Sequence, residues 1–342
     1  MEHHRTPVFK RMIHAKWFQL LIILILVCAA IYIVNPNFIS RVNIRSILRG
    51  TVVPGIMLAA VGPLLAGGGI DLAVSTQATL AAILFVNITR YSDIPWGFAI
   101  IAALLLGAVF GLINVFLINK LNFLAFIATI GMSTIYIGFA RMWSGMMEVM
   151  LTNHDIIAVG NAAIIENWIP VPFLFMTLLI AIYVYIMANT RFGRSIYMAG
   201  GNEAAARLAG LNPKRIRAIL FINSGVISAL AGVVWSAMNR MAHPTSLNDA
   251  MPNFMSLTAV IIGGVSFRGG SGNIAAGFLG LLLVRVFDNG LTIFGFRSYV
   301  NMAAQGLILI VALIADHVNA VRRRKALEAA AIAAADSAQS AV

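Results

Sequence analysis

Residues 17–35 read WFQLLIILILVCAAIYIVN and carry no charged side chain. A helix that crosses a bilayer needs about 20 mostly apolar residues. A helix apolar on every side is either buried in a large core or set in lipid. Working outward, the same signature recurs at 47–66, 72–89, 95–118, 122–143, 168–188, 216–239, 251–267, 272–288 and 298–317, so about ten spans are expected. The clearest are Trp17–Asn35, Trp96–Ile118, Trp168–Ala188 and Tyr299–Ala315. The stretches 47–66, 72–89, 251–267 and 272–288 are shorter or broken by Gly and Pro. In the second span Pro54, Gly55, Gly62 and Pro63 are the interruptions. Helix breakers survive at membrane depth where neighbours or a water-filled cavity satisfy the freed backbone groups, which hints at a pathway.

The whole composition agrees. Of 342 residues 60% are hydrophobic and 11% charged, against about 25% charged in soluble domains. A soluble enzyme, a disordered chain, a collagen and a disulfide scaffold are excluded. The one cysteine, Cys28, has no intrachain partner. Lys and Arg number 24 and Asp and Glu 12, a net charge of +12. That excess first suggests nucleic acid, but its distribution points to membrane orientation and no nucleic-acid partner. With the N-terminus inside and ten spans, the inner side holds Arg5, Lys10, Arg11, Lys16, Lys120, every basic residue from Arg191 to Arg217, Arg268, and Arg322–Lys325. The outer side holds the scattered Arg41, Arg45, Arg49, Arg90, Arg141, Arg240 and Arg297. The inner excess sets both termini in the cytoplasm. The all-α polytopic chain then divides into an inner N-terminal segment 1–16, a membrane domain 17–317 and a basic, alanine-rich cytoplasmic tail 318–342. The tail's basic run anchors near anionic lipids of the bilayer. No small-x-small cleavage site follows the first span, and bulky Val27 before Cys28 argues against lipoprotein processing.

The long inner loop 189–215, between spans six and seven, is the most informative segment. Gly200-Gly201-Asn202 is turn chemistry. Asn202 is placed to cap a short helix through Glu203–Ala209, with Glu203 favourable in its first turn and Gly210 ending it. Such a helix, shown to the cytoplasm, either docks in a partner's groove and carries its motion into the membrane or is an ordinary anchored loop.

Other groups read in two ways. Asp71, between a glycine turn and the third span, is a gate or turn-fixing residue, or it opens that span by accepting its free N–H groups. Gly67–Gly69 supply the tight reversal. Gly263-Gly264 and Gly269-Gly270-Ser271-Gly272 permit a similar reversal and close helix packing. Phosphate cradling is excluded, since no G-x-x-x-x-G-K-[ST] occurs. Energy must therefore come from another subunit or an ion gradient, and the chain itself holds no cofactor. Arg285 and Asp288 share a helix face and, with Asn289, are candidate pathway residues able to meet sugar hydroxyls. The histidines have no zinc-ligand spacing and no catalytic triad or carboxylate pair presents itself, so neither a metal nor a catalytic site is expected.

Three ordered motifs carry a resemblance. The first is Gly68-Gly69-Ile70-Asp71-Leu72-Ala73-Val74-Ser75. The second runs Thr190-Arg191-Phe192-Gly193-Arg194, then Gly200-Gly201-Asn202-Glu203-Ala204-Ala205 and Leu208-Ala209-Gly210. The third is Ile262-Gly263-Gly264-Val265-Ser266-Phe267-Arg268-Gly269-Gly270-Ser271-Gly272, with Asn289-Gly290-Leu291 downstream. Together they resemble the permease subunits of ribose-type ABC importers, over about residues 38–317. The resemblance implies an inner-membrane permease without an ATPase site, paired with a second copy, a cytoplasmic ATPase that binds ATP, and a periplasmic binding protein that delivers a monosaccharide. It also implies that Arg191, Gly193, Gly200, Gly201, Asn202, Glu203, Ala205 and Gly210 belong to the ATPase-coupling loop. Gly68, Gly69, Asp71, Ser75, Gly263, Gly264, Gly269 and Gly270 are its signature turns. Ala73 and Thr76 depart from the family's pattern, and Arg285 stands where an apolar or small residue is usual; these bear on the substrate. The competing readings are a nucleoside or branched-chain amino-acid permease, an ion-coupled transporter working alone, and a membrane-embedded enzyme.

Overall fold

The structure, a computed structural model, describes residues 16–92, 94–245, 247 and 252–339. Nearly all of the expected N-terminal segment 1–16 lies outside the described residues, as do the side chains of residues 323–339, Arg323 to Lys325 among them. The first half of the chain forms α1 (Lys16–Val34), α2 (Arg41–Ala66), α3 (Val74–Tyr91), α4 (Trp96–Val115), α5 (Ala125–Ser144), α6 (His154–Asn161) and α7 (Val171–Asn189). The second half forms α8 (Arg191–Gly201), α9 (Glu203–Leu208), α10 (Pro213–Asn239), α11 (Pro252–Ile262), α12 (Ile274–Ile293) and α13 (Ser298–Gln339). Among the described residues, sheet is confined to two antiparallel pairs. β1 (Val149–Met150) pairs with β4 (Met241–Ala242), and β2 (Ala163–Ile164) with β3 (Ile169–Pro170).

Among the described residues, eight helices are long and apolar enough to cross a membrane: α1, α2, α4 with its continuation to Lys120, α5, α7, α10, α12, and α13 up to Val318. Two of the ten expected spans take another form. The stretch 72–89 is the helix α3, which buries Ser75, Thr76, Gln77 and Thr79. Wrapped by other helices rather than by lipid, it has no need of a uniformly apolar surface. The stretch 251–267 holds only the 11-residue α11, because the chain leaves the helix at the glycines that follow Ile262. The α13 backbone stays helical past residue 318, as far as Gln339.

The second span, expected to be interrupted, is one continuous helix of 26 residues with Pro54 and Pro63 inside it. At the first proline, Ser256 of α11 donates its hydroxyl to the Pro54 carbonyl at 2.6 Å. This helix is the axis of the bundle. Its most apolar 18-residue stretch is 83% buried, against 11% for α1 and 6% for α13. The outer helices turn large apolar side chains such as Leu26, Leu105, Phe126 and Leu307 outward, as a lipid-facing surface requires.

Around that axis α10 is the hub, and small residues let its neighbours approach. A Cβ at Gly107 of α4 would strike Ala229 at 2.7 Å and the Gly225 backbone of α10. A Cβ at Gly232 of α10 would collide with the Ala78 backbone of α3. Small residues at such crossings let backbones pack closely where no hydrophobic force drives helices together.

The connections gather at opposite ends. At one end β1 meets β4, and the arginines of α2 reach backbone carbonyls: Arg41 donates to Glu166 at 3.1 Å, Arg45 to Asn161 at 3.3 Å, and Arg49 to Met238. At the other end Asn119 donates to the Lys214 carbonyl at 2.8 Å. The turns 67–73 and 263–273 lie there too, beside α8 and α9.

Candidate functional site

The site at that second end begins with caps. Thr190 accepts from the Gly193 amide at 3.0 Å and starts α8; Asn202 accepts from the Ala205 amide at 3.0 Å and starts α9. Each satisfies an amide that the first helical turn leaves free. Gly200 and Gly201, expected in a turn, instead end a helix that begins at Arg191. Gly193 packs that helix against the end of α7. Gly210, at φ +78°, closes α9 in the left-handed conformation that favours glycine.

Glu203 is the electrostatic centre of this segment. It meets Arg207 at 2.6 Å and Arg217, at the base of α10, at 3.1 Å. The hydrogen bond from Arg207 holds its carboxyl below the usual range, with Arg217 adding to the effect against slight desolvation. Arg191 stands exposed at the start of α8, and Ala205 is exposed on α9.

The centre of the site is made of backbone. Three segments far apart in sequence cross where α8 ends. The Gly270 amide donates to the Ala66 carbonyl, the last of α2, at 2.8 Å. Gly200 lies over that bond. A Cβ there would stand 2.9 Å from the Gly270 nitrogen and the Gly67 carbonyl carbon, and collide with the Ala66 oxygen. A Cβ at Gly269 would stand 2.8 Å from the Gly68 Cα, and one at Gly270 would meet Gly201. The Tyr197 hydroxyl of α8 ties down the same turn, donating to the Gly272 carbonyl at 3.0 Å. Gly68, Gly200 and Gly269-Gly270, read in the sequence as three separate signatures, therefore form one junction. Gly69 folds back on Leu64 of α2; Gly263 packs on Gly277 of α12, and Gly264 lies under the Lys16 side chain.

From the junction, residues 69–73 climb back into the bundle. Gly67 sits against Leu220, and Asp71 reaches Ser224, four residues or about 6 Å further along α10. Asp71 thus lies about one helical turn further into the bundle than the glycine junction. It is 5% exposed. It accepts from the Ala73 amide at 3.0 Å, from Gln77 at 3.2 Å and from Ser224 at 2.9 Å. Ser75 is buried nearby in sequence, its hydroxyl oxygen without a partner among the described residues.

Toward the end where β1 meets β4, residues of α2, α10, α11, α12 and α13 line a cavity of about 790 Å³. Arg285 and Asp288 both line it and pair at 2.6 Å. Gln305 of α13 donates to the other Asp288 oxygen at 3.0 Å, and the absent side chain of Gly50 makes room for the Arg285 guanidinium. Asn289 is not part of this wall; it exchanges hydrogen bonds of 2.8 and 3.0 Å with Asn43. Gln77, Ser224 and Gln305 escaped the sequence reading. All three left a trace, as polar residues inside otherwise apolar spans.

A family model described as the permease component of branched-chain amino acid transport systems matches residues 46–313. Curated relatives cover most of the chain. The ribose import permease protein of Haemophilus influenzae is 32% identical over 86% of this chain and 91% of its own. That of Bacillus subtilis is 30% identical over 83% and 87%. The fructose import permease protein of Rhizobium meliloti is 31% identical over 86% and 84%. No solved structure matches the chain. On the extent of the family match and these identities, the chain is a multi-pass membrane protein of the transport-permease family to which the branched-chain amino-acid permease components belong.

Proposed function

We propose that the chain is the membrane-spanning subunit of a bacterial inner-membrane importer for a monosaccharide or related polyol. It does no chemistry of its own. ATP hydrolysis in a separate cytoplasmic subunit drives it, a periplasmic binding protein delivers the solute, and two copies of the chain form the path. Each copy crosses the membrane ten times with both termini inside. The ribose and fructose relatives support the substrate class.

The observation that carries this reading is the glycine junction. The loop that would face an ATPase ends in α9, whose tip presents Leu208, 91% exposed, beside the exposed Ala204 and Ala205. Its other end, α8, presses backbone to backbone on the end of α2 and on the turn after α11. A push on α9 therefore reaches two helices without passing through flexible side chains. ATP biases the two access states only if it binds them differently, and the loop is where that difference enters the membrane.

The family's own description favours a second reading, in which the solute is a branched-chain amino acid. The test is to reconstitute the chain with its companion ATPase and binding protein in liposomes and measure uptake of labelled ribose, fructose and leucine. Uptake of a sugar that needs both ATP and the binding protein is expected. Uptake of leucine alone would transfer the assignment to the second reading. Uphill sugar transport by the chain without companions would overturn the coupling.

A further inference from the structure

Two cavities share one side chain. The outer cavity of about 790 Å³ ends against the first turn of α11. A second cavity of about 10 Å³ lies between that turn and the climbing segment Gly69–Leu72. Phe254 lines both. Its neighbour Asn253 lines the inner one and is 9% exposed, and its side chain has no hydrogen-bond partner among the described residues. Asp71 forms part of the opposite wall.

We propose that each copy contributes Phe254 as a barrier on the path the two copies form, and Asp71 and Asn253 as the polar contact behind it, taking the hydroxyl groups of an uncharged polyol. The inference rests on the importer reading above. Asn253 offers both a donor and an acceptor, and a carboxylate has about four acceptor positions. Three of those on Asp71 are used, which leaves room for one hydroxyl donor.

In this state the inner cavity has room for about one water molecule. A sugar passes only if its walls part, and both walls lead to the glycine junction. Gly69–Leu72 follows Gly68 directly, and α11 runs into the turn containing Gly269 and Gly270. The α8 end clamps both turns. Movement of α8 thus reaches the two sides of the constriction together.

The test uses the complete complex in liposomes. Phe254→Ala should leak labelled ribose down its gradient without ATP, about tenfold faster than wild type. Phe254→Trp should keep the seal and slow ATP-driven uptake. Independently, Asn253→Cys in a Cys28→Ser background should react with a small methanethiosulfonate about tenfold faster during ATP turnover than at rest. If ATP-driven sugar uptake is intact, yet Phe254→Ala does not leak and ATP leaves the labelling rate unchanged, this inference falls and the importer reading stands. If the wild-type complex takes up no sugar with ATP, the importer reading falls and takes the inference with it.

Discussion

Replacing Gly200 by alanine puts a methyl group where the structure has only backbone. The new Cβ would stand 2.9 Å from the Gly270 nitrogen and the Gly67 carbonyl carbon, and nearer still to the Ala66 oxygen. Carbon contacts settle at about 3.5–4 Å, so the segments must part by about 1 Å. The Ala66 oxygen also accepts the Gly270 amide, and the same movement breaks that bond. Overpacking costs about 1–3 kcal/mol and a lost hydrogen bond about 1 kcal/mol. Together they destabilise by roughly 2–4 kcal/mol. The adjacent Gly201 is the internal control: its Cβ would stand 3.5 Å from the Gly270 Cα, an ordinary contact. Gly201→Ala should therefore stay within about 0.5 kcal/mol of wild type. Denaturant unfolding in detergent micelles reads the stability difference. Liposomes carrying the complete complex read coupling, as sugar taken up per ATP hydrolysed. Gly200→Ala should lose both, and Gly201→Ala neither. Equal behaviour of the two variants in both assays would refute the argument that a backbone crossing at Gly200 holds the three motifs together.

Three further outcomes follow from the same structure. Arg285→Met strands the Asp288 carboxylate, 7% exposed, with a hydrogen bond from Gln305 and no cation; unfolding should show a loss of about 3–5 kcal/mol, much of it recovered in Arg285→Met/Asp288→Leu. Glu203, its carboxyl held below the usual value of 4.5 by Arg207 and then Arg217, contributes stability that is present above that value and lost as pH falls through its lowered one; hydrogen exchange of the α9 amides, corrected for intrinsic rate, should rise in that acid window, and in Glu203→Gln the dependence should vanish. In a Cys28→Ser background, an impermeant thiol reagent should label His154→Cys from outside the cell and Leu208→Cys in inverted vesicles alone; labelling of Leu208→Cys from outside would overturn the orientation.

The lipid-facing helices were legible because lipid demands length and apolarity from each span separately, and a sequence shows both. That demand lapses where a helix is enclosed by others. So α3 carries a polar inner face that lowers its hydropathy, and α2 keeps two prolines without breaking. The same difference governs the site. Asn202 announces its cap because capping is local, a matter of three residues. The Arg285–Asp288 pair is local too, at i, i+3. Asn289, one residue further round the helix, turns instead to Asn43. Nothing local reports that Ala66, Gly200 and Gly270 meet, because each glycine taken alone reads as a turn. Gly50 left no signal at all, since its role is to be absent from the space that Arg285 fills.

Why three motifs should meet through glycine follows from what a coupling has to do. A contact made by long side chains has slack, because each side chain can change rotamer and absorb a displacement before its neighbour moves. At the junction there is no side chain to yield. The end of α8 bears on the α2 terminus and on the Gly269-Gly270 turn through main-chain atoms, and a main-chain hydrogen bond fixes those two to one another. Close-packed interiors transmit strain of this kind instead of dissipating it. On the coupling reading, a shift imposed on α9 from the cytoplasm then arrives undiminished at both turns. From one turn the chain leads in four residues to Asp71, and from the other back into α11 with Asn253 and Phe254. Larger residues would fill the same space and keep the fold's outline, but they would force apart the segments that glycine lets touch, and the loop would move without moving the membrane helices.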